Sequence, residues 1–349
     1  MTRPQASRHE PSGLALPLAL IYCGLAAYAS LYPFTPWQSQ GIMPWAFITA
    51  PLPHYWSGFD VAINVLGYIP LGFLLTVALA DASRRPAWWA LSLVAVLSFV
   101  MEALQTYLAP RVSSNVDWAL NVLGGSLGAW AAALAEATGL LRGWSRWRGG
   151  HFDAGSGAAL GLLLLWPLAL LYPTPVPLGL GHLGGWLQWL AVPVTAGLES
   201  FLLMLGLLAP VLLAFSITPK ILHRVFALVW IALAALAVTT LSTVLSFGPA
   251  HAGVWLHDGV AWGLCLGLGS SAVLLVAPRR LNLVLLLGVL VLMLALVNTA
   301  PQNPYFAQTL AVWEQGRFIR FYGMTQWLGW LWPYATLALV TYRLSTHKI

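Results

Sequence analysis

Charge is scarce in this chain. Only 7% of its 349 residues are Asp, Glu, Lys or Arg, against roughly a quarter in a soluble domain. That deficit excludes an ordinary water-soluble domain, whose surface needs charged side chains nearly everywhere. Cysteine is almost missing too. Cys23 and Cys265 are the two, both inside apolar runs, which excludes a disulfide framework and a thiolate metal site. There is no His-Glu-x-x-His pair and no Cys with a neighbouring His, and no serine nucleophile elbow is expected. The histidines His54, His182, His251 and His257 are dispersed and read as isolated interfacial residues, so neither a metal nor a cofactor is expected. The net charge of +6 is spread over short loops, where it reports topology rather than a nucleic-acid partner.

What the chain has instead is apolar runs: 59% of it is hydrophobic and its mean hydropathy is +0.78. A hydrocarbon core of about 30 Å is crossed by roughly 20 apolar residues in a helix. Ten runs fit, at 14–33, 59–80, 88–108, 116–138, 156–172, 194–215, 225–247, 257–277, 281–299 and 324–343. The expected fold is therefore all-α, a polytopic transmembrane helical bundle of about ten spans. A membrane barrel would show short alternating segments instead. With the N-terminus placed inside, only Arg111, Arg317 and Arg320 of the 16 basic residues fall outside. That asymmetry puts both termini in the cytoplasm. The first run is preceded by basic residues and contains Ala-Tyr-Ala at 27–29, which imitates a signal peptide. The apolar run continues through Leu31 and Tyr32, so an uncleaved span is expected.

With that topology the acidic residues sort by depth. Asp60, Asp117 and Asp258 begin outward-starting spans, and Glu102 and Glu199 lie in the outer halves of theirs. Ionisable groups in a span are expensive and usually face a partner, a cavity or a path. Ser98, Glu102 and Gln105 recur at i, i+4 and i+7 and share one helix face. Asp60 and Asn64 are four apart, as are Asp117 and Asn121, within the near-identical strings DVAINVLG and DWALNVLG. The repetition predicts paired helices presenting equivalent faces. Gly67, Gly72, Gly124, Gly125 and Gly128 predict close backbone approach between them. The Asp and Asn pairs serve equally well as helix caps and interhelical hydrogen bonds. Arg111 lies outside against the positive-inside rule. It either pairs with Asp117 or Glu102 in a structural bridge or clamps a phosphate.

These residues, in the strings FDVAINVLGYIPLGFLL and MEALQTYLAPRVSSNVDWALNVLGGSLGAW, resemble the VanZ-like family of bacterial membrane proteins over about 31–130. The resemblance implies a place in the cell envelope, in the bacterial inner membrane. It also implies a link to teicoplanin susceptibility by a route separate from altered peptidoglycan termini. It carries over no catalytic residues. A VanZ-like four-helix domain is thus expected at 14–138, and a further six-helix region at 156–343. The second region echoes the first: LYPFTPW at 31–37 returns as LYPTPVP at 171–177, and VLGYIPLGFLL as MLGLLAPVLLA. It has no counterpart of Glu102, Gln105 and Arg111, which places any chemistry in the first half.

Two loops complete the sequence picture. The segment 304–323 is expected to form an interfacial helix with Arg317 and Arg320 near headgroup phosphates. The aromatic loop 37–56 is expected to act as a packing lid. Three functions compete. One is binding or moving an amphipathic ligand at the outer leaflet, whether a membrane lipid, a polyprenyl-phosphate-linked precursor or a lipoglycopeptide. Its ligand-binding candidates are Asp60, Asn64, Glu102, Gln105, Arg111, Asp117 and Asn121, with Glu102, deepest in its span, as the candidate for proton coupling. The second is a membrane-embedded enzyme with paired carboxylates; the lack of a nucleophile weighs against it. The third is a scaffold whose polar residues only pack helices.

Overall fold

The structure, a computed structural model, describes residues 12–32, 34–52, 58–153, 155–172, 174, 176–183, 196–299 and 319–346. Among them are eleven α-helices and no strand beyond one isolated bridge, Trp37 with Leu108. The helices are α1 (Ser12–Leu31), α2 (Gly58–Leu79), α3 (Pro86–Gln105), α4 (Asn115–Ala137), α5 (Leu140–His151) and α6 (Gly157–Ala169). They continue with α7 (Ala196–Ile217), α8 (Ile221–Phe247), α9 (Asp258–Leu274), α10 (Arg279–Thr299) and α11 (Ile319–Thr346). Every apolar run expected to span is a helix. Seven of these helices are long and apolar enough to cross a membrane, and Gly157–Ala169 and Asp258–Leu274 are apolar but shorter. The chain is an all-α, multi-pass membrane protein. The twelve-residue α5 was not foreseen, because its arginines and glycines hide it among loop residues.

Two compact units divide the chain, Met1–Gly150 and His151–Ile349. In the first, α2 and α4 pack backbone to backbone. A Cβ on Gly124 would strike the Val65 carbonyl, one on Gly128 the Ile69 carbonyl, and one on Gly72 the Gly125 carbonyl. Residues four apart on one helix meet residues four apart on the other in the same order, so the two helices run parallel. This is small-residue packing of the kind that brings membrane helices together. Gly67 departs from the expectation: a Cβ there would meet open space, and its carbonyl accepts a hydrogen bond from the Tyr22 hydroxyl at 2.8 Å. Apolar packing adds a buried cluster of Ala19, Tyr68, Leu71, Leu75, Ala90 and Val94.

In the second unit α7 is the central helix. Its run from Leu202 to Ile217 is buried on all sides, as expected of a helix apolar around its whole circumference. Glycines seat α9 against it: a Cβ on Gly263 would meet the Ser200 carbonyl and Leu203, and one on Gly267 would meet Leu207. Buried Arg224 caps two helix ends. Its Nε donates to the Thr218 carbonyl at 3.1 Å, just past α7, and its Nη1 to the Leu275 and Ala277 carbonyls at 2.7 Å, just past α9. Non-helical backbone at 178–182 is buried as well. Asn298 secures it, accepting from the Leu183 amide at 2.9 Å and donating to the Gly181 carbonyl at 3.0 Å. Gly181 is required there by its φ of +90°. Burial pushes the neighbouring His182 imidazole below its ordinary pKa, and its Nδ1 lies 3.1 Å from the Val297 carbonyl.

Candidate functional site

The α2 and α4 register puts Asp60 and Asp117, both in first turns, at the same end of the first unit. The end of α3 and the loop after it reach this end as well. Ser114 is the N-cap of α4 in extended conformation, and its Oγ accepts from the Val116 and Asp117 amides at 3.2 and 3.3 Å. Its own amide donates to Glu102 Oε2 at 2.8 Å. A carboxylate on α3 thereby fixes the start of α4. Glu102 is 3% exposed, and Asp117 and Arg111 are near enough to act on it electrostatically.

Arg111 has a role that sequence did not foresee. Its Nε donates to the Tyr32 carbonyl at 2.9 Å and its Nη2 to the Ala29 carbonyl at 2.8 Å. Gln105 Nε2 donates to the Ser30 carbonyl at 3.0 Å. A helix leaves its last four carbonyls without intrahelical partners, and the accounting at the end of α1 closes around them. The Tyr28 and Leu31 carbonyls accept from the Tyr32 and Phe34 amides, and Arg111 and Gln105 take those of Ala29, Ser30 and Tyr32. The guanidinium also sits at the negative end of the helix dipole.

One turn into the bundle, Asn121 Nδ2 donates to Ser98 Oγ at 3.0 Å, joining α4 to α3. Asn121 and Ser98 are buried, and Asn121 Oδ1 has no protein partner. The buried Tyr68 hydroxyl faces Ser30 and Ser98 without closing a bond to either. Tyr68 escaped sequence reading because a Tyr in an apolar run looks like core. Its signal was the spacing, four residues after Asn64 and eight after Asp60. The expected equivalence of the two Asp and Asn pairs does not hold in detail. Asn121 is buried and bonded across to α3, whereas Asn64 is half-buried and Asp60 is exposed.

The seven candidates therefore gather at one end of the first unit but divide in use. Gln105 and Arg111 hold α1, Glu102 holds α4, Asn121 joins α3 to α4, and Asp60, Asn64 and Asp117 present polar groups at or near the surface. Over this end lies the segment 34–52. The Gln38 amide donates to the Tyr107 carbonyl at 2.9 Å, Asn115 Nδ2 to the Ala50 carbonyl at 2.7 Å, and Phe47 is buried against Phe99. Ile42, Met43 and Trp45 remain exposed on it. Of the expected headgroup contacts, Arg317 lies outside the described residues. Arg320 falls in the first turn of α11, which takes over the end of the 304–323 segment, and its side chain also lies outside them. One string, Gly124-Gly125-Ser126-Leu127-Gly128, spells the Gly-x-Ser-x-Gly pattern. It is no nucleophile elbow, which needs a strand-to-helix turn. Ser126 is mid-helix, with its hydroxyl bonded to the Val122 carbonyl at 2.8 Å.

Residues 19–136 match the VanZ/LLP1 family model. That stretch holds most of α1 to α4 and all seven candidates, and it is the VanZ-like part of the chain. No curated protein and no solved structure matches the chain.

Proposed function

We propose, from the VanZ-like character of residues 19–136, that this protein binds or moves the polar end of an amphipathic envelope ligand. The ligand class is a membrane lipid, a polyprenyl-phosphate-linked precursor or a lipoglycopeptide such as teicoplanin. In this reading the protein sits in the bacterial inner membrane with both termini in the cytoplasm, and Asp60, Asn64, Glu102 and Asp117 face the outer leaflet. The observation that carries the reading is Glu102. It is an almost fully buried carboxyl group in an apolar helix, at the end where two further carboxyl groups stand. The same end holds one guanidinium, Arg111, which already donates to two carbonyls. In this reading the polar end of the ligand meets that cluster and the bilayer holds its tail.

A scaffold role is the second reading, favoured by the closed hydrogen-bond accounting that Arg111 and Gln105 provide around α1. Full-length Asp60→Asn, Glu102→Gln and Asp117→Asn variants separate the two. Membrane abundance and teicoplanin susceptibility are measured together, and purified protein in vesicles is tested for binding teicoplanin and undecaprenyl phosphate. Normal abundance with lost phenotype and binding supports the ligand site. Full phenotype and binding in all three variants would sink it, and parallel loss of abundance supports the scaffold.

A further inference from the structure

At the end of the first unit away from Glu102, α4 ends at Ala137 and the chain turns at Gly139, whose φ is +76°. The helix that follows, α5, is twelve residues long with the sequence LLRGWSRWRGGH. Its length is about 18 Å, too short for a hydrocarbon core of about 30 Å. It is no buried packing element either, since none of its residues is buried. At 100° per residue, Leu140, Trp144 and Trp147 fall within about 60° of one another and Arg142 and Arg146 fall opposite them. Leu140 is 67% exposed, Trp144 49% and Trp147 48%, with the two indoles stacked at 5.1 Å. Leu141, on the flank, packs against the cluster of Ala15, Val77 and Ala132 and ties the start of the helix to the bundle. The helix holds Arg142, Arg146 and Arg148 and no acidic residue in its sequence.

We propose that α5 is an interfacial anchor that binds the headgroup phosphates of anionic phospholipids. Indole rings favour the headgroup layer because one edge is apolar and the other donates a hydrogen bond. A short helix with Leu140, Trp144 and Trp147 on one face and Arg142 and Arg146 on the other is shaped for that layer rather than for water or hydrocarbon. The occupant is the membrane itself, because the helix begins three residues after a membrane-crossing helix ends. A helix that carries arginines and no acidic residue matches anionic lipid and gains little from a zwitterionic one. This surface lies apart from the proposed ligand site and stands whether or not that site binds anything.

The test places a photo-crosslinking amino acid at Leu140 of the full-length protein, reconstituted in vesicles of phosphatidylcholine and phosphatidylglycerol in equal amounts. The proposal expects lipid adducts with phosphatidylglycerol favoured several-fold. That preference should disappear in an Arg142→Gln/Arg146→Gln background and weaken at high salt. A Trp144→Ala/Trp147→Ala background should lower the total yield of lipid adducts. No lipid adduct at Leu140, adducts to a polypeptide instead, or a preference that survives removal of both arginines would each overturn it.

Discussion

At the scale of single residues, polar side chains in an apolar protein prove to be fasteners as much as site groups. Arg111 is the clearest case. Its two donations to α1 cross 79 and 82 residues of sequence and leave no pattern, because a backbone carbonyl has no sequence signature. Replacing it with alanine removes a charged donor from two terminal carbonyls at a half-buried position. Hydrogen bonds to charged groups are worth about 1.5–3 kcal/mol each, so a loss of about 2 kcal/mol is expected after allowing for partial solvent access. Arg111→Lys should recover only part of it, since a single ammonium lacks the planar fork that reaches two carbonyls. Thermal unfolding of the purified protein in detergent measures both. Equal midpoints for the lysine variant and the native protein would show that the fork geometry contributes nothing.

At the scale of elements, the glycines of α4 separate packing from coincidence. Gly128→Ala would drive a methyl group into the Ile69 carbonyl and the Phe73 amide, which are backbone and cannot swing aside. Overpacking of that kind costs about 1–3 kcal/mol, and the α2 and α4 pair should loosen. Gly67→Ala adds the same methyl into open space and should be neutral or stabilising. A cysteine crosslinking rate between the two helices, alongside the unfolding midpoint, distinguishes the variants. Similar behaviour of the two alanines would mean that the close approach is not what holds the pair. Sequence reading foresaw the helices and their glycine contact because both rest on local composition and on the repeated Asp-x-x-x-Asn string. It could not tell Gly67 from Gly124, since which face meets the neighbour is settled by the partner helix. Nor did it find α5, whose three arginines and three glycines conceal a face built from only a few large apolar residues.

At the scale of the molecule, the chain falls into two units, and the VanZ-like stretch at 19–136 lies wholly inside the first. The seven candidate residues are fastened by that unit's own elements: Arg111 and Gln105 to α1, Glu102 to Ser114, and Asn121 to Ser98. None of these bonds draws on residues after 150. A chain ending at Gly150 should therefore insert and fold with its polar end intact. It should elute as a single symmetric species in detergent and unfold cooperatively. Within that fragment Arg111→Ala should lower the midpoint by about as much as it does in the full protein, since distant independent sites add to within roughly 0.5 kcal/mol. An aggregated or non-cooperative fragment would show that the second unit supplies folding free energy to the first. A folded fragment in which Arg111→Ala changes nothing would instead show that the α1 fastening forms only in the whole chain.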